Sequence, residues 1–141
     1  MNKILRIKEA PEEYDLAGKV IGLAMKIHTT LGLRFLESVY QNALALELRR
    51  AGMKVEAEKP ISVHYEDELV GVFVADLLIN DCLIIETKAI LALGKIHEVQ
   101  LVNYLVATGI DEGLLLNFGT ERLEFKKKFR RPKSKSAAVS L

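Results

Sequence analysis

Apolar and polar positions alternate with three different periods along the chain, and each period marks an element. Ala17, Val20, Ile21, Ala24, Ile27 and Leu31 recur at helical spacing. Pro11 suits a first helical position, and Glu12, Glu13 and Asp15 suit the positive end of the dipole. A helix over about 11–31, ended by Gly32, is predicted. A second helix runs from about Leu36 to Ala51, closed by Gly52, with Val39, Ala43, Leu44, Leu46 and Leu48 as its apolar content. Residues 54–65 then read as a strand. Pro60 removes a ladder donor there, so an edge position or a bulge is expected.

The pattern changes again after the polar turn Glu66-Asp67-Glu68. Leu69–Ile79 and Cys82–Ala89 are greasy arms rich in aliphatic and β-branched residues, joined at Asn80-Asp81. Their neighbours on both faces are apolar, as in a central strand covered on two sides. Gly94 to Thr108 reads as a helix ended by Gly109, with Ile96, Val99, Val102, Leu105 and Val106 as its expected buried side. Gly113–Phe118, the turn Gly119-Thr120 and Glu121–Phe129 read as a closing hairpin. No internal repeat, P-loop or Gly-rich dinucleotide motif interrupts this order.

Three charges stand inside the greasy arms: Asp76, Glu86 and Lys88. A charge on a buried strand is paired, bound to metal or catalytic. Glu86 and Lys88 are two apart and share a strand face. A regular two-residue turn at Asn80-Asp81 would pair Ala75 with Glu86 and send Asp76 to the opposite face. Asp76 and Glu86 meet only if Asn80-Asp81-Cys82 makes a three-residue connection, or if a bulge shifts the register. His97, Gln100 and Tyr104 make a polar stripe on the following helix. His28, beside the first apolar stripe, reads as a packed or hydrogen-bonded residue rather than a ligand.

Length and charge narrow the class. The chain has 141 residues, enough for one domain with a substantial core, and 28% are charged. No apolar run approaches the ~20 residues a membrane helix needs, and the N-terminus has no signal-peptide core. The single cysteine, Cys82, excludes an intramolecular disulfide and a four-cysteine metal or iron–sulfur site, and suits a reducing, cytoplasmic setting. The net charge of +1 hides an asymmetry: residues 126–141 carry seven basic and no acidic groups, so the rest carries 13 basic and 19 acidic. Such a tail either contacts nucleic acid or another polyanion, or is a solvated, disordered terminus. After Pro132 it is Lys/Ser/Ala-rich, so 1–131 is expected as the domain and 132–141 as the tail.

Asp76 followed by Glu86-Thr87-Lys88 on the next strand resembles the PD-(D/E)xK nuclease signature. Together with Phe35-Leu-Glu-Ser-Val-Tyr40, Ala75-Asp76, Glu86-Thr-Lys-Ala89, His97-Glu-Val-Gln100 and Asn103-Tyr104, the chain is similar to the GxxExxY branch of that superfamily from about His28 to about Phe129. Gln100-x-x-x-Tyr104 also resembles the QxxxY motif of RecB-like nucleases. The first Gly of GxxExxY falls at Arg34, with Gly32 two residues earlier, so a different turn before Glu37 is expected. The resemblance implies an α/β, restriction-endonuclease-like αβββαβ core: a mixed central sheet with helices on both faces, plus the extra helix about 11–31.

It also implies metal-dependent hydrolysis of nucleic-acid phosphodiester bonds, with DNA as the expected partner, no membrane, and room for a homo-oligomer. Asp76, Glu86, the Thr87 backbone carbonyl and Glu37, through water, would hold Mg²⁺ or Mn²⁺. Lys88 would contact the attacking water or the phosphate, Gln100 and Tyr104 would position them, and His97 would hydrogen-bond a phosphate. Glu37 has a plainer reading as a first-turn dipole partner. The alternative for the whole chain is an inactive nucleic-acid-binding or structural member of the fold, in which Asp76, Glu86 and Lys88 form a buried ion-pair network.

Overall fold

The structure is a computed structural model and describes residues 15–131. The expected helix start at Pro11–Glu13 and the basic tail 132–141 lie outside the described residues. In chain order, α1 spans Leu16–Leu31, α2 Glu37–Arg50, β1 Val55–Tyr65, β2 Glu68–Ile79, β3 Leu83–Lys88, α3 Lys95–Thr108, β4 Glu112–Asn117 and β5 Glu124–Phe129. The five strands form one sheet in the order β1-β2-β3-β4-β5. Only β3 and β4 run parallel. A parallel pair needs a crossover, and α3 supplies it.

The runs Leu83-Ile84-Ile85 and Leu114-Leu115-Leu116 are buried throughout because both faces of the sheet are covered. Leu77, Ile79, Leu83, Ile85, Leu114 and Leu116 pack with α1 and α2. Leu78, Ile84 and Leu115 pack with α3 on the other side. The mixed sheet with helices on both faces is thus the expected α/β architecture. β1 is an edge strand, as Pro60 required; Pro60 pairs with Val74 at that edge.

α3 corrects an expectation. Of its anticipated buried side only Leu105 is buried, and Leu101 and Tyr104 complete the face instead. Ile96, Val99 and Val106 are 74%, 51% and 61% exposed. The helix carries apolar residues on nearly every side, so periodicity selects no face. Close packing does: a Cβ at Gly113 would come within 2.9 Å of Leu101 Cδ1, so the side chain of Leu101 fills the space that Gly113 leaves open. With Leu101 fixed inward, Tyr104 follows it onto the sheet.

The closing hairpin also differs. Its ladder ends at the pair Asn117↔Glu124, so residues 118–123 form a longer loop than Gly119-Thr120. Asn117 is fully buried and organises this loop. Its Oδ1 accepts from the Ile90 and Gly119 N–H groups at 3.0 Å each. Its amide donates to the Ile90 carbonyl at 3.0 Å and to Glu124 Oε1 at 3.1 Å. The segment that leaves β3 after Lys88 is thereby tied to the end of β4.

Candidate active site

The β2–β3 connection decides whether Asp76 and Glu86 can meet. Asn80 and Asp81 both take left-handed φ values, 50° and 58°, which these residue types tolerate. The Cys82 N–H closes on the Ile79 carbonyl at 2.9 Å. Cys82 is then left over, and Ile79 pairs with Leu83. The connection is therefore three residues long, and Leu77↔Ile85 is the last pair of the ladder. Asp76 and Glu86 come next, opposite one another.

Here side chains replace ladder bonds. The Asp76 N–H donates to Glu86 Oε2 at 2.8 Å. The Thr87 N–H and hydroxyl both donate to Asp76 Oδ2, each at 2.8 Å. Beyond this fork β2 pairs with β1 alone, out to Tyr65↔Glu68.

Two residues that the sequence analysis did not single out support the fork. Glu58 of β1 has φ 55°, and the β1–β2 register passes over it, from Ala57↔Leu77 to Lys59↔Ala75. It stands at the place opposite Asp76. Buried Gln41 of α2 donates to Glu58 Oε2 at 2.6 Å and to the Asp76 carbonyl at 3.3 Å. Pro60 signalled an irregular edge; Glu58, two residues earlier, is left out of the pairing, and the register itself shifts between Val63 and His64. Nothing in the spacing of α2 marked Gln41.

The turn before α2 is held by Tyr40. Its hydroxyl donates to the Gly32 carbonyl at 2.5 Å and accepts from the Phe35 N–H at 3.3 Å. Its ring stacks on Phe118 at 4.6 Å. Arg34, at the place of the expected glycine, has φ 83°, a conformation that favours glycine. Glu37, one turn before Tyr40, is exposed, and its side chain makes no hydrogen bond among the described residues. His28 is packed as anticipated, its Nε2 2.8 Å from the Thr120 carbonyl.

The electrostatics of the fork are unusual. Glu86 is buried, and its carboxyl is pushed from its ordinary 4.5 up to about 8. Burial is the main cause, followed by the negative charge of Asp76; the Asp76 N–H and Lys88 oppose the shift, and Glu37 adds to it. The Tyr104 hydroxyl is raised by burial, then by Glu86 and Asp76. Lys88 is half-buried and forms no ion pair within 4.0 Å among the described residues.

A cleft of about 1020 Å³ opens between the β1–β2 hairpin and α3, and Lys88, His97, Gln100 and Tyr104 all line it. The two carboxylates adjoin this cleft without lining it. His97 has a second duty: its Nδ1 accepts the Gly94 N–H at 2.9 Å, capping α3. That fixes the tautomer, leaving Nε2–H as its donor.

Each carboxylate keeps one oxygen, Asp76 Oδ1 and Glu86 Oε1, outside these hydrogen bonds. Among the described residues no buried side-chain polar atom lacks a partner, so both oxygens reach solvent. Among the described residues no three His, Cys, Asp or Glu side chains gather to hold a metal, so Glu37 does not complete a direct three-carboxylate set. Two repelling carboxylates with water-facing oxygens fit Mg²⁺, which is held by one or two carboxylates and keeps several waters.

The PD-(D/E)XK nuclease superfamily matches the chain over residues 14–131. The crystal structure of an alkaline exonuclease (LHK-Exo) from Laribacter hongkongensis is similar, with a TM-score of 0.50 and 13% identity over 73% of this chain and 60% of that one. The crystal structure of SSO0001 has a TM-score of 0.46 and 18% identity over 86% of this chain and 61% of that one. The chain thus spans about three fifths of either structure's length. No curated protein matches it. With the family matched across all of the described residues, the chain belongs to the PD-(D/E)XK nuclease superfamily and has its restriction-endonuclease-like fold.

Proposed function

We propose that this protein is a divalent-metal-dependent nuclease of the GxxExxY type, with nucleic acid, DNA first among the candidates, as its substrate. The observation that carries the proposal is the state of the three charges. Among the described residues, Glu86 is buried beside Asp76 with no cation bonded to either, while Lys88 stands in the cleft without a carboxylate partner. A structural ion-pair network would have joined them.

Asp76 and Glu86, with the Thr87 carbonyl, would hold Mg²⁺ or Mn²⁺; when bound, the ion makes water nucleophilic and offsets charge on the phosphate. Thr87 and the Asp76 N–H hold the two carboxylates in their orientation. The Lys88 ammonium, a point charge, contacts the water or the scissile phosphate. Gln100 and Tyr104 orient those groups from the α3 wall. His97 offers Nε2–H to a phosphate oxygen while its other nitrogen caps the helix. Glu37 acts through water or through its charge alone.

The test is cleavage of single- and double-stranded DNA and RNA by the purified chain with Mg²⁺, Mn²⁺ or EDTA, beside Glu86→Gln. Metal-dependent cleavage of at least one substrate, lost in the variant, is expected. No cleavage with either ion, or cleavage that survives EDTA or Glu86→Gln, refutes the proposal.

A further inference from the structure

The cleft beside the fork is built unlike a surface for duplex phosphates. Among the described residues its lining holds one lysine, Lys88, two histidines, His64 and His97, and no arginine or carboxylate. Duplex binding rests on many Lys and Arg contacts to phosphates, because each releases condensed counterions. Here much of the wall is instead apolar. Val99 and Val106 project from α3, and Phe73 faces them from β2. These side chains are left in water by the rotation of α3, and Phe73 is 45% exposed. The Phe73 ring lies 5.6 Å from the Tyr104 ring, tilted by 40°, so one side of it is backed by an aromatic and the rest is open.

From this geometry we infer that the cleft takes single-stranded nucleic acid, with an unpaired base stacked on Phe73. This rests on the nuclease reading and names its substrate class. A base has flat apolar faces and polar edges. The cleft offers both counterparts, since Gln100 and Asn103 stand among the apolar side chains. In a duplex those faces are stacked away, and an apolar wall would gain nothing. A second copy of the chain is a poorer occupant, because it would bury Lys88, which has no ion-pair partner among the described residues, against an apolar face. A strand stacked on Phe73 occupies the cleft that Lys88 lines, which brings its phosphates to the proposed reaction site.

The test is fluorescence anisotropy on the full chain in EDTA, which prevents metal-dependent cleavage. The probes are a labelled DNA strand, the RNA of the same sequence, the duplex, and an abasic strand that keeps the phosphates. Either single strand, or both, should bind about tenfold or more tighter than the duplex and the abasic strand; the two single-stranded arms separate DNA from RNA. Phe73→Ala should weaken the intact strand by about 5- to 150-fold and leave the abasic strand unchanged. Phe73→Trp should retain binding.

Equal or tighter binding of the duplex or the abasic strand overturns the inference. So does an indifferent Phe73→Ala, or a concentration-dependent dimer that Phe73→Ala dissolves. Should Phe73→Ala fail to melt cooperatively, the intact and abasic strands on the unaltered chain decide. The two readings fail separately. A chain that cleaves duplex with no single-strand preference sinks only this inference, whereas one that grips single strands but cleaves nothing sinks only the nuclease.

Discussion

Replacing Glu86 with Gln should stabilise the metal-free protein, and by an amount that grows with pH. In the folded chain the carboxyl ionises near 8 rather than 4.5, chiefly through burial. In the unfolded chain it ionises at its ordinary value. Below 4.5 both states hold the proton and folding costs nothing on this account. Between 4.5 and 8 the unfolded chain has released a proton that the folded chain keeps, so stability falls as pH rises; above 8 the loss is complete. At about 1.4 kcal/mol per unit, the penalty is about 1 kcal/mol at pH 5 and about 3 kcal/mol at pH 7. Gln has the same shape, no proton to lose, and a carbonyl that can still accept the Asp76 N–H. Urea unfolding in EDTA at pH 5, 6, 7 and 8 measures the difference. With a typical slope of about 1–3 kcal/mol/M, the midpoint of Glu86→Gln should lie roughly 1–3 M above the parent at pH 7 and close to it at pH 5. A difference that stays constant from pH 5 to 8, or a variant less stable than the parent at pH 7, would refute the argument.

Three further outcomes follow from the same geometry. Divalent-ion affinity should rise roughly tenfold per pH unit up to about 8, with proton release, because Glu86 must ionise to bind; calorimetry in two buffers of different ionisation enthalpy checks this, and pH-independent affinity would contradict it. Asn117→Ala strips partners from the Ile90 and Gly119 backbone and should cost about 3 kcal/mol, lowering Tm by roughly 10 °C. Arg34→Gly relieves a left-handed residue at φ 83° and should be neutral to about 1 kcal/mol stabilising in urea; a larger loss would mean that the Arg34 side chain holds the turn.

What could be read from the sequence follows the physics of each element. Leu83-Ile84-Ile85, in a short run bounded by turn residues, reads as a strand covered on both faces, and the same aliphatic run at Leu114-Leu115-Leu116 lies beside it in the sheet. The three-residue connection was legible as a requirement: parity alone shows what Asn80-Asp81-Cys82 must do if Asp76 is to meet Glu86. The rotation of α3 was not legible, since Ile96, Val99 and Val106 are as apolar as Leu101, and the choice is made by Gly113 on a strand that follows in sequence. Gln41, Glu58 and Asn117 were missed for a related reason. Gln41 and Asn117 bond backbone distant in the chain, Glu58 accepts from the Gln41 side chain, and such partners leave no local period. His97 was singled out for its place in a polar stripe, yet one of its nitrogens is committed to the start of its own helix.

The claim that matters most is that Lys88 serves chemistry while Asp76 and Glu86 serve the metal. Cleavage by Lys88→Ala, measured beside its divalent-ion affinity and its melting temperature, tests it. Lys88 makes no ion pair among the described residues, so the fold should hold and Tm should stay close to that of the parent. Removing a cation beside two carboxylates should leave ion affinity unchanged or tighter. Cleavage should drop by about 100-fold or more, the scale for losing one preorganised electrostatic contact. Undiminished cleavage by the variant, or a loss matched by weaker ion binding or by unfolding, would contradict the account.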